Sequence, residues 1–258
     1  MTTPAFAGDS TRALLAALER SLDNTAPGFL LVGEQHDADE HQRLHRLVVE
    51  TLSARQQVSA VVIEMVDRGR STAGLAPDTP ESAVRGALGW REPAWPWQRY
   101  GPVVMASVRA GVPVLGGNLP RADMPEAMRD ARWDTLWPRS AWQRLQQTID
   151  EAHCGLMPRS QLPAMARIQL ARDDAMARTL AQAAGPGRLA VLFTGQVHAD
   201  RQWGVPWHLE RLGHLPASTR VILLHTGPTA PDDLQADHFV ATPALAPKDH
   251  CAELRQGQ

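Results

Sequence analysis

The chain has 258 residues, of which 43% are hydrophobic and 21% are charged, the composition of an ordinary globular protein. This composition excludes a mainly disordered chain and a collagen-like repeat, and no apolar run approaches the roughly 20 residues that cross a bilayer. The formal net charge is −2 and Lys248 is the only lysine, so the sequence predicts neither nucleic-acid binding nor a membrane span.

The amino-terminal segment lacks the basic start and the continuous apolar stretch of a signal peptide. The chain as written therefore predicts a cytoplasmic protein, or a periplasmic one if a leader has been removed. Cys154 and Cys251 form neither a disulfide framework nor a zinc-ligand spacing. A single bridge between them remains open, and it would require an oxidising compartment.

Short apolar runs without alternation are typical of strands that are covered on both faces. They occupy residues 29–33, 60–65, 112–116, 189–194 and 221–225, and residues 238–243 could add an edge strand. Helical spacing occurs between them, at 41–54, 101–110, 141–184 (broken at 154–160) and 207–212. This alternation predicts an α/β fold with a mostly parallel sheet flanked by helices. Because no linker interrupts the sequence, we expect a single domain over residues 1–258, with a helical insert at about 120–184 that forms a lobe.

Polar residues follow four of these runs, at the point where each predicted strand ends. Glu34 and His36 follow the first run, Glu64 ends the second, Asn118 follows the third, and His198 follows the fourth. In a parallel sheet these ends share one edge, where ligands bind. Each residue alone is equally consistent with a helix cap or a turn, but together they predict a polar cluster.

Two of these sites have the same Gly-x-x-His spacing, from Gly33 to His36 and from Gly195 to His198. We expect each glycine to supply a tight turn that points its histidine back over the sheet edge. Glutamate and histidine serve both as metal ligands and as acid–base groups, and the spacing does not choose between these roles.

An aromatic segment lies between the second and third predicted strands. Trp90, Trp95, Trp97 and Tyr100, the only tyrosine, fall within residues 90–100. The segment is either a loop wedged into the core or a wall for a flat apolar ligand. A tyrosine phenolate is a recognised ligand of haem iron. His153, considered alone, is more typical of a helix end beside a capping glycine than of a ligand.

Seven segments follow one another in the order seen in the ChaN-like family, and the resemblance as a whole runs from about residue 27 to the tail, where DHFVATP and DHCAEL also fit. This family is the haem-binding uptake branch of the Tiki/TraB superfamily, which is related in fold to the erythromycin esterases. The segments that resemble it are GEQHDADEHQ, EMVDR, residues 97–102, GGNLPR, HCGLMP, IQLARDDAMA and GQVHADRQWGVPWHL.

The resemblance implies a bacterial protein of haem or iron uptake that binds ferric haem through a tyrosine. A haem-bridged homodimer and a partner protein for haem transfer are compatible with the resemblance, and storage, transfer and degradation of haem all stay open. Carried over by position, the iron ligand is Tyr100 and the distal or hydrogen-bonding residue is His153. The further contacts that we infer are Arg121 and Arg99 for the propionates, and Trp97 and Trp95 for the apolar wall.

A second hypothesis is a metal-dependent hydrolase, because the superfamily also includes proteases and esterase-like enzymes. Its catalytic residues would be Glu34, His36, Glu64 and His198. The sequence lacks a Gly-x-Ser-x-Gly elbow and an HExxH helix, so a non-enzymatic haem-binding protein is favoured. A third hypothesis is that the polar cluster only braces the loops around the haem site.

Overall fold

The computed structural model describes residues 5–22, 28–92, 94–246, 249, 251 and 252, with side chains from residue 8 onward. Within these residues, parallel pairing joins six strands into one sheet with the order β3-β2-β4-β1-β5-β6. The strands are β1 (Phe29–Glu34), β2 (Val58–Asp67), β3 (Val114–Asn118), β4 (Leu189–Gly195), β5 (Thr219–Thr226) and β6 (His238–Thr242). The α/β prediction is confirmed, and each predicted strand is present.

Helices connect the strands. They are α1 (Ala5–Leu22), α2 (Asp39–Ala54), α3 (Glu81–Leu88), α4 (Trp97–Arg109), α5 (Met124–Arg129), α6 (Arg139–Ala152), α7 (Leu162–Ala183), α8 (Gln196–Ala199) and α9 (Val205–Arg211). Helix α1 was not predicted, although its buried Leu14, Ala17 and Leu18 follow the i, i+3, i+4 spacing of an amphipathic helix.

The core forms two layers, one on each face of the sheet. Leu30 and Val32 join the cluster that includes buried residues of α2 and α4, whereas Phe29 and Leu31 join the cluster of α7 and α9. Successive strand residues point to opposite faces, so Glu34 shares the face of Leu30 and Val32. By the same alternation Glu64 of β2 lies on the opposite face, with Val62.

The chain divides into two compact units. The first unit, residues 1–118 with 174–245, contains the whole sheet. The second, residues 119–173 with 246–258, contains α5, α6 and the first half of α7. Within the second unit, the guanidinium of Arg167 binds both carboxylate oxygens of Asp134, at 2.7 and 2.6 Å.

A disulfide joins Cys154, just after α6, to Cys251 near the carboxyl terminus. The bridge that the cysteine spacing left open is therefore present, and both of its ends belong to the second unit. None of the helices in the described ranges combines the length and the apolar character that crossing a bilayer requires.

Candidate functional site

The polar cluster lies at the carboxyl ends of β1, β4 and β2, which are neighbours in the sheet. Strand β4 pairs with both of the others, and its Gly195 aligns with Glu34 of β1. The structure thereby brings together Glu34, His36, Glu64 and His198, as the sequence pattern predicts. Asn118 of β3 joins them at one remove, because its side-chain amide donates to the backbone carbonyl of Glu64 at 2.8 Å.

Glu34 is a buried carboxylate surrounded by donors. Its Oε1 accepts a hydrogen bond from the Tyr100 hydroxyl at 2.7 Å and lies 2.7 Å from Nδ1 of His36. Its Oε2 accepts from the side-chain amide of Gln42 at 2.8 Å and lies 3.3 Å from Nδ1 of His45. Burial raises the pKa of the Glu34 carboxyl, and the bonds from His36, Tyr100 and Gln42 offset only part of that rise.

Glu64 is equally buried but has the opposite electrostatic character. Its Oε2 accepts from the Thr194 hydroxyl at 2.7 Å and from the Gly195 amide at 2.8 Å. Nε2 of His198 lies 3.7 Å from its Oε1, and Nε2 of His36 lies 3.9 Å from its Oε2. Burial alone would raise the pKa of Glu64, but the two histidines and these two hydrogen bonds lower it to about 2. Glu64 is therefore anionic at neutral pH.

His36 connects these two carboxylates across the end of the sheet. Since β4 separates β1 from β2, a side chain that reaches from Glu34 to Glu64 must cross the end of β4, at Gly195. A Cβ at Gly195 would lie 3.0 Å from Nε2 of His36, so glycine gives the imidazole its place without displacing it, and a larger residue would require the ring to shift by a few tenths of an ångström. The expectation of a tight turn is wrong here, because Gly195 is in ordinary extended backbone with φ −60° and ψ 151°.

Gly33 has a similar steric role in the other Gly-x-x-His segment. The φ angle of Gly33 is not positive, so its backbone does not require glycine. A Cβ there would lie 2.4 Å from Leu223 and 3.0 Å from Ala199. The glycine thus lets α8 pack directly on the end of β1 instead of supplying a turn.

The backbone around His36 is held from several sides. The amide of Gln35 donates to Nδ1 of His41 at 2.9 Å, and the side-chain oxygen of Gln35 accepts from the Thr226 amide at 2.9 Å. The His36 carbonyl accepts from Arg99 at 3.0 Å. The His36 side chain is 40% exposed, and burial lowers its pKa, but the bond to Glu34 and the charge of Glu64 more than compensate and raise it.

Tyr100 lies in the first turn of α4 and is only 3% exposed. The predicted helix began at residue 101, whereas α4 begins at Trp97 and therefore includes Tyr100. Burial, followed by the charge and the hydrogen bond of Glu34, raises the pKa of the Tyr100 phenol far above its ordinary range. The phenol is a suitable iron donor by chemistry, but in this conformation it faces Glu34 and a haem cannot reach it.

The tryptophans form the surroundings of this phenol. The ring of Trp95 meets Tyr100 edge-on at 5.7 Å and His36 edge-on at 5.0 Å. Trp97 is buried against Gly101, where a Cβ would lie 2.5 Å from the indole nitrogen, and its ring packs edge-on against Trp90. Trp90 and Trp95 remain half-buried, so the parts of this aromatic group that a ligand can meet are Trp90 and Trp95, not Trp97.

The other two predicted haem contacts belong to the second unit. His153 is the residue that follows α6, and its Nδ1 lies 2.7 Å from the carbonyl oxygen of Ile149, the contact expected of a helix end. Arg121 is exposed in a single 3₁₀ turn after β3. Their roles toward haem stay predictions.

Three residues of the site were missed by sequence reasoning, namely His41, Gln42 and His45, which share the buried face of α2. His45 is stacked on Phe193 at 4.2 Å between ring centres, and burial holds its pKa well below the ordinary value, so it is neutral. The signal was available, because these residues share the helical spacing of the buried Leu44 and Val48 within the predicted helix at 41–54.

The arrangement is suited to acid–base chemistry. Glu34 holds Nδ1 of His36, which leaves Nε2 of this half-exposed imidazole to exchange a proton beside the anionic Glu64. Within the described ranges, no group of three or more histidine, cysteine and acidic side chains is arranged to hold a metal ion.

Comparison with known proteins identifies the family. The family model described as haem-binding uptake, Tiki superfamily, ChaN matches residues 25–209. The structure of ChaN of Campylobacter jejuni with cofacially bound haem is similar with a TM-score of 0.65 at 20% identity, over 83% of this chain and 87% of that one. The structure of the type III effector HopBA1 is similar with a TM-score of 0.50 at 17% identity, over 92% and 95%.

Comparison with curated protein sequences finds no match. At these identities the two solved structures establish the fold, and the family model, which covers more than half of the chain, establishes the kinship. The chain belongs to the ChaN haem-binding uptake family of the Tiki superfamily.

Proposed function

We propose that this protein binds ferric haem during bacterial haem or iron uptake, with Tyr100 as the iron ligand. The observation that carries the proposal is the family match over residues 25–209, which includes Tyr100 and the aromatic segment around it. A phenolate is an anionic oxygen donor that suits Fe(III), and Tyr100 is the only residue of the chain that can supply one. The solved ChaN of Campylobacter jejuni is described with cofacial haem, which supports a haem-bridged dimer here.

An absorption titration with ferric haem tests the ligand. The wild-type protein should give a high-spin spectrum of tyrosinate-ligated haem, and Tyr100→Phe, which keeps the packing, should lose it. An unchanged titration of Tyr100→Phe would exclude Tyr100 as the ligand. Size-exclusion chromatography of the apo and loaded protein tests the dimer in the same samples.

The contacts proposed in the second unit need their own variants. His153→Ala should change the spin state or weaken binding if His153 acts on the distal side. Arg121→Ala should weaken binding through a lost propionate contact, compared with Arg129→Ala as an exposed arginine of the same unit.

The sequence allowed two compartments, the cytoplasm and the periplasm. The disulfide supports the periplasm, because such bridges persist in oxidising surroundings. Alkylation of cell extracts prepared in acid, followed by mass spectrometry, measures this directly. Blocked cysteines are expected, and free thiols in freshly extracted protein would instead support the cytoplasm.

A hydrolase remains the second candidate, favoured by one specific observation. The cluster pairs a carboxylate of raised pKa, Glu34, with one of lowered pKa, Glu64, and an imidazole lies between them. Environments that push two pKa values apart are typical of acid–base sites. Metal analysis and an assay with mixed peptide and ester substrates test this hypothesis. A hydrolase requires that the wild type turns over a substrate and that His36→Ala abolishes this turnover. If the cluster only braces the loops, Glu64→Ala should lower stability and leave haem affinity unchanged.

A further inference from the structure

Two consecutive residues of α4 bind the turn between β1 and α2 from both of its ends. Tyr100 donates to Glu34, the last residue of β1, at 2.7 Å. Arg99 donates to the carbonyl of His36 at 3.0 Å, and its Nε lies 2.6 Å from Oδ1 of Asp39, the first residue of α2. The first turn of α4 is thus attached to this connection at three residues, Glu34, His36 and Asp39.

The attachment closes over the phenol. Tyr100 is 3% exposed, with Glu34 at its hydroxyl and the ring of Trp95 against its own ring. A macrocycle cannot contact the phenol oxygen unless α4 and the β1–α2 turn separate. Tyr100, the proposed iron ligand, is therefore present in a conformation that does not admit the haem.

We propose that the contacts of Arg99 with Asp39 and with the His36 carbonyl form a latch that holds Tyr100 in a closed, haem-inaccessible state. This inference rests on the proposed role of Tyr100 as the iron ligand. The latch also accounts for Arg99, whose guanidinium is engaged on the turn and is not free for a propionate in this state. Haem binds the minority of molecules in which the latch is open.

Breaking the ion pair of the latch requires little free energy. Asp39 is 78% exposed and the side chain of Arg99 is 34% exposed, so water can replace their ion pair. Pairs of this kind contribute little in water. The buried bond between Tyr100 and Glu34 must also break when the turn opens.

Nitration of the apo protein by tetranitromethane reports the open state without haem, because Tyr100 is the only tyrosine. We expect nitration of the native protein to be at least about tenfold slower than that of the urea-unfolded chain, as for a reactive state of minor population. Asp39→Ala should raise the native rate by up to about fivefold, the upper range for an exposed pair. Arg99→Lys, which loses the fork that reaches the carbonyl, is the second variant.

Glu50→Gln is the matched control, since it removes an exposed carboxylate of the same helix that pairs with Arg46 and does not contact the turn. It should leave the nitration rate unchanged. In stopped-flow mixing, the observed rate of haem binding should level off at high haem concentration, and Asp39→Ala should raise that plateau.

The latch is overturned if native Tyr100 is nitrated as fast as in the unfolded chain, or if neither variant accelerates nitration. Failure of the proposed function is a separate result, in which Tyr100→Phe binds haem as the wild type does. The nitration rates decide the latch in either case, because they involve no haem.

Discussion

The hydroxyl of Tyr100 and the carboxylate of Glu34 are joined by a buried hydrogen bond of 2.7 Å. The bond links α4 to the end of β1 and makes the only phenol of the chain part of the polar cluster at the sheet edge. Two anions at this distance cannot both persist in a buried site, so at most one of the two groups is ionised. The ionisation of Tyr100 is thereby tied to Glu34.

Glu34→Gln should lower the pKa of the Tyr100 phenol. Burial is the largest cause of the raised value and remains in the variant, but the charge of Glu34 is lost. An alkaline titration followed by phenolate ultraviolet absorbance measures this, with Glu50→Gln as the control. Coincident curves for the wild type and Glu34→Gln would contradict the electrostatic coupling.

Gly195→Ala should destabilise the protein by about 1–3 kcal/mol, the usual range for overpacking a filled site. The added Cβ would lie 3.0 Å from Nε2 and 3.3 Å from Cε1 of His36, so the imidazole must move. Gly86→Ala in α3 is the control, because a Cβ there meets nothing within 4 Å. Urea unfolding compares the two variants, and equal free energies of unfolding would show that His36 adapts freely.

Acid should destabilise the protein through His41. Burial, helped by the charge of His225 and opposed by Glu40 and Asp37, lowers the pKa of His41 to about 4, whereas the unfolded chain keeps a value near 6.5. Between these values the unfolded state binds a proton that the folded state does not, so stability falls as the pH falls. Above about pH 6.5 both states are neutral and the effect vanishes.

The loss of unfolding free energy that His41 causes in acid is at most about 3 kcal/mol, a value obtained by converting the difference between its folded and unfolded pKa values. It is measured by urea unfolding of the wild type and of His41→Gln between pH 4 and 7, where the variant should have the shallower slope. The structural reason is that Nδ1 of His41 accepts from the Gln35 amide, which a proton at that nitrogen would prevent. Parallel slopes would assign the acid sensitivity to other groups.

Removal of the disulfide should lower stability by about 2–5 kcal/mol, the usual range for native bridges. Cys154 and Cys251 are 97 positions apart, so the bridge restricts a long loop of the unfolded chain. The double variant Cys154→Ser, Cys251→Ser and the reduced wild type should unfold at the same, lower denaturant concentration. If the reduced protein is as stable as the oxidised one, the disulfide does not contribute to the stability of the second unit.

The strands and the polar cluster could be predicted because each depends on local sequence. Buried parallel strands are continuous apolar runs, and their carboxyl ends share one edge, so Glu34, Glu64 and His198 were placed together correctly. The roles of the glycines could not be predicted. They depend on which strands lie beside β1, namely β4 for Gly195 and β5 for Gly33, and the order of strands in a sheet is set by crossovers that leave no local pattern.

The surroundings of Tyr100 could not be predicted from the sequence either. Its bond to Glu34 depends on how α4 lies against β1, and the predicted helix began at residue 101, which left Tyr100 outside it. His45 and Gln42 were missed because residues 41–54 were assigned only to a helix, although the buried face of that helix ends beside a carboxylate.

The position of β4 in the sheet also affects biosynthesis. Strands β1 and β2 are consecutive along the polypeptide, yet each pairs with β4, which the ribosome delivers much later. Until residues 189–195 emerge, the nascent chain carries two apolar strands whose neighbour does not yet exist. Such unpaired edges are prone to aggregate, so the protein should depend on chaperones during synthesis and refold slowly from denaturant.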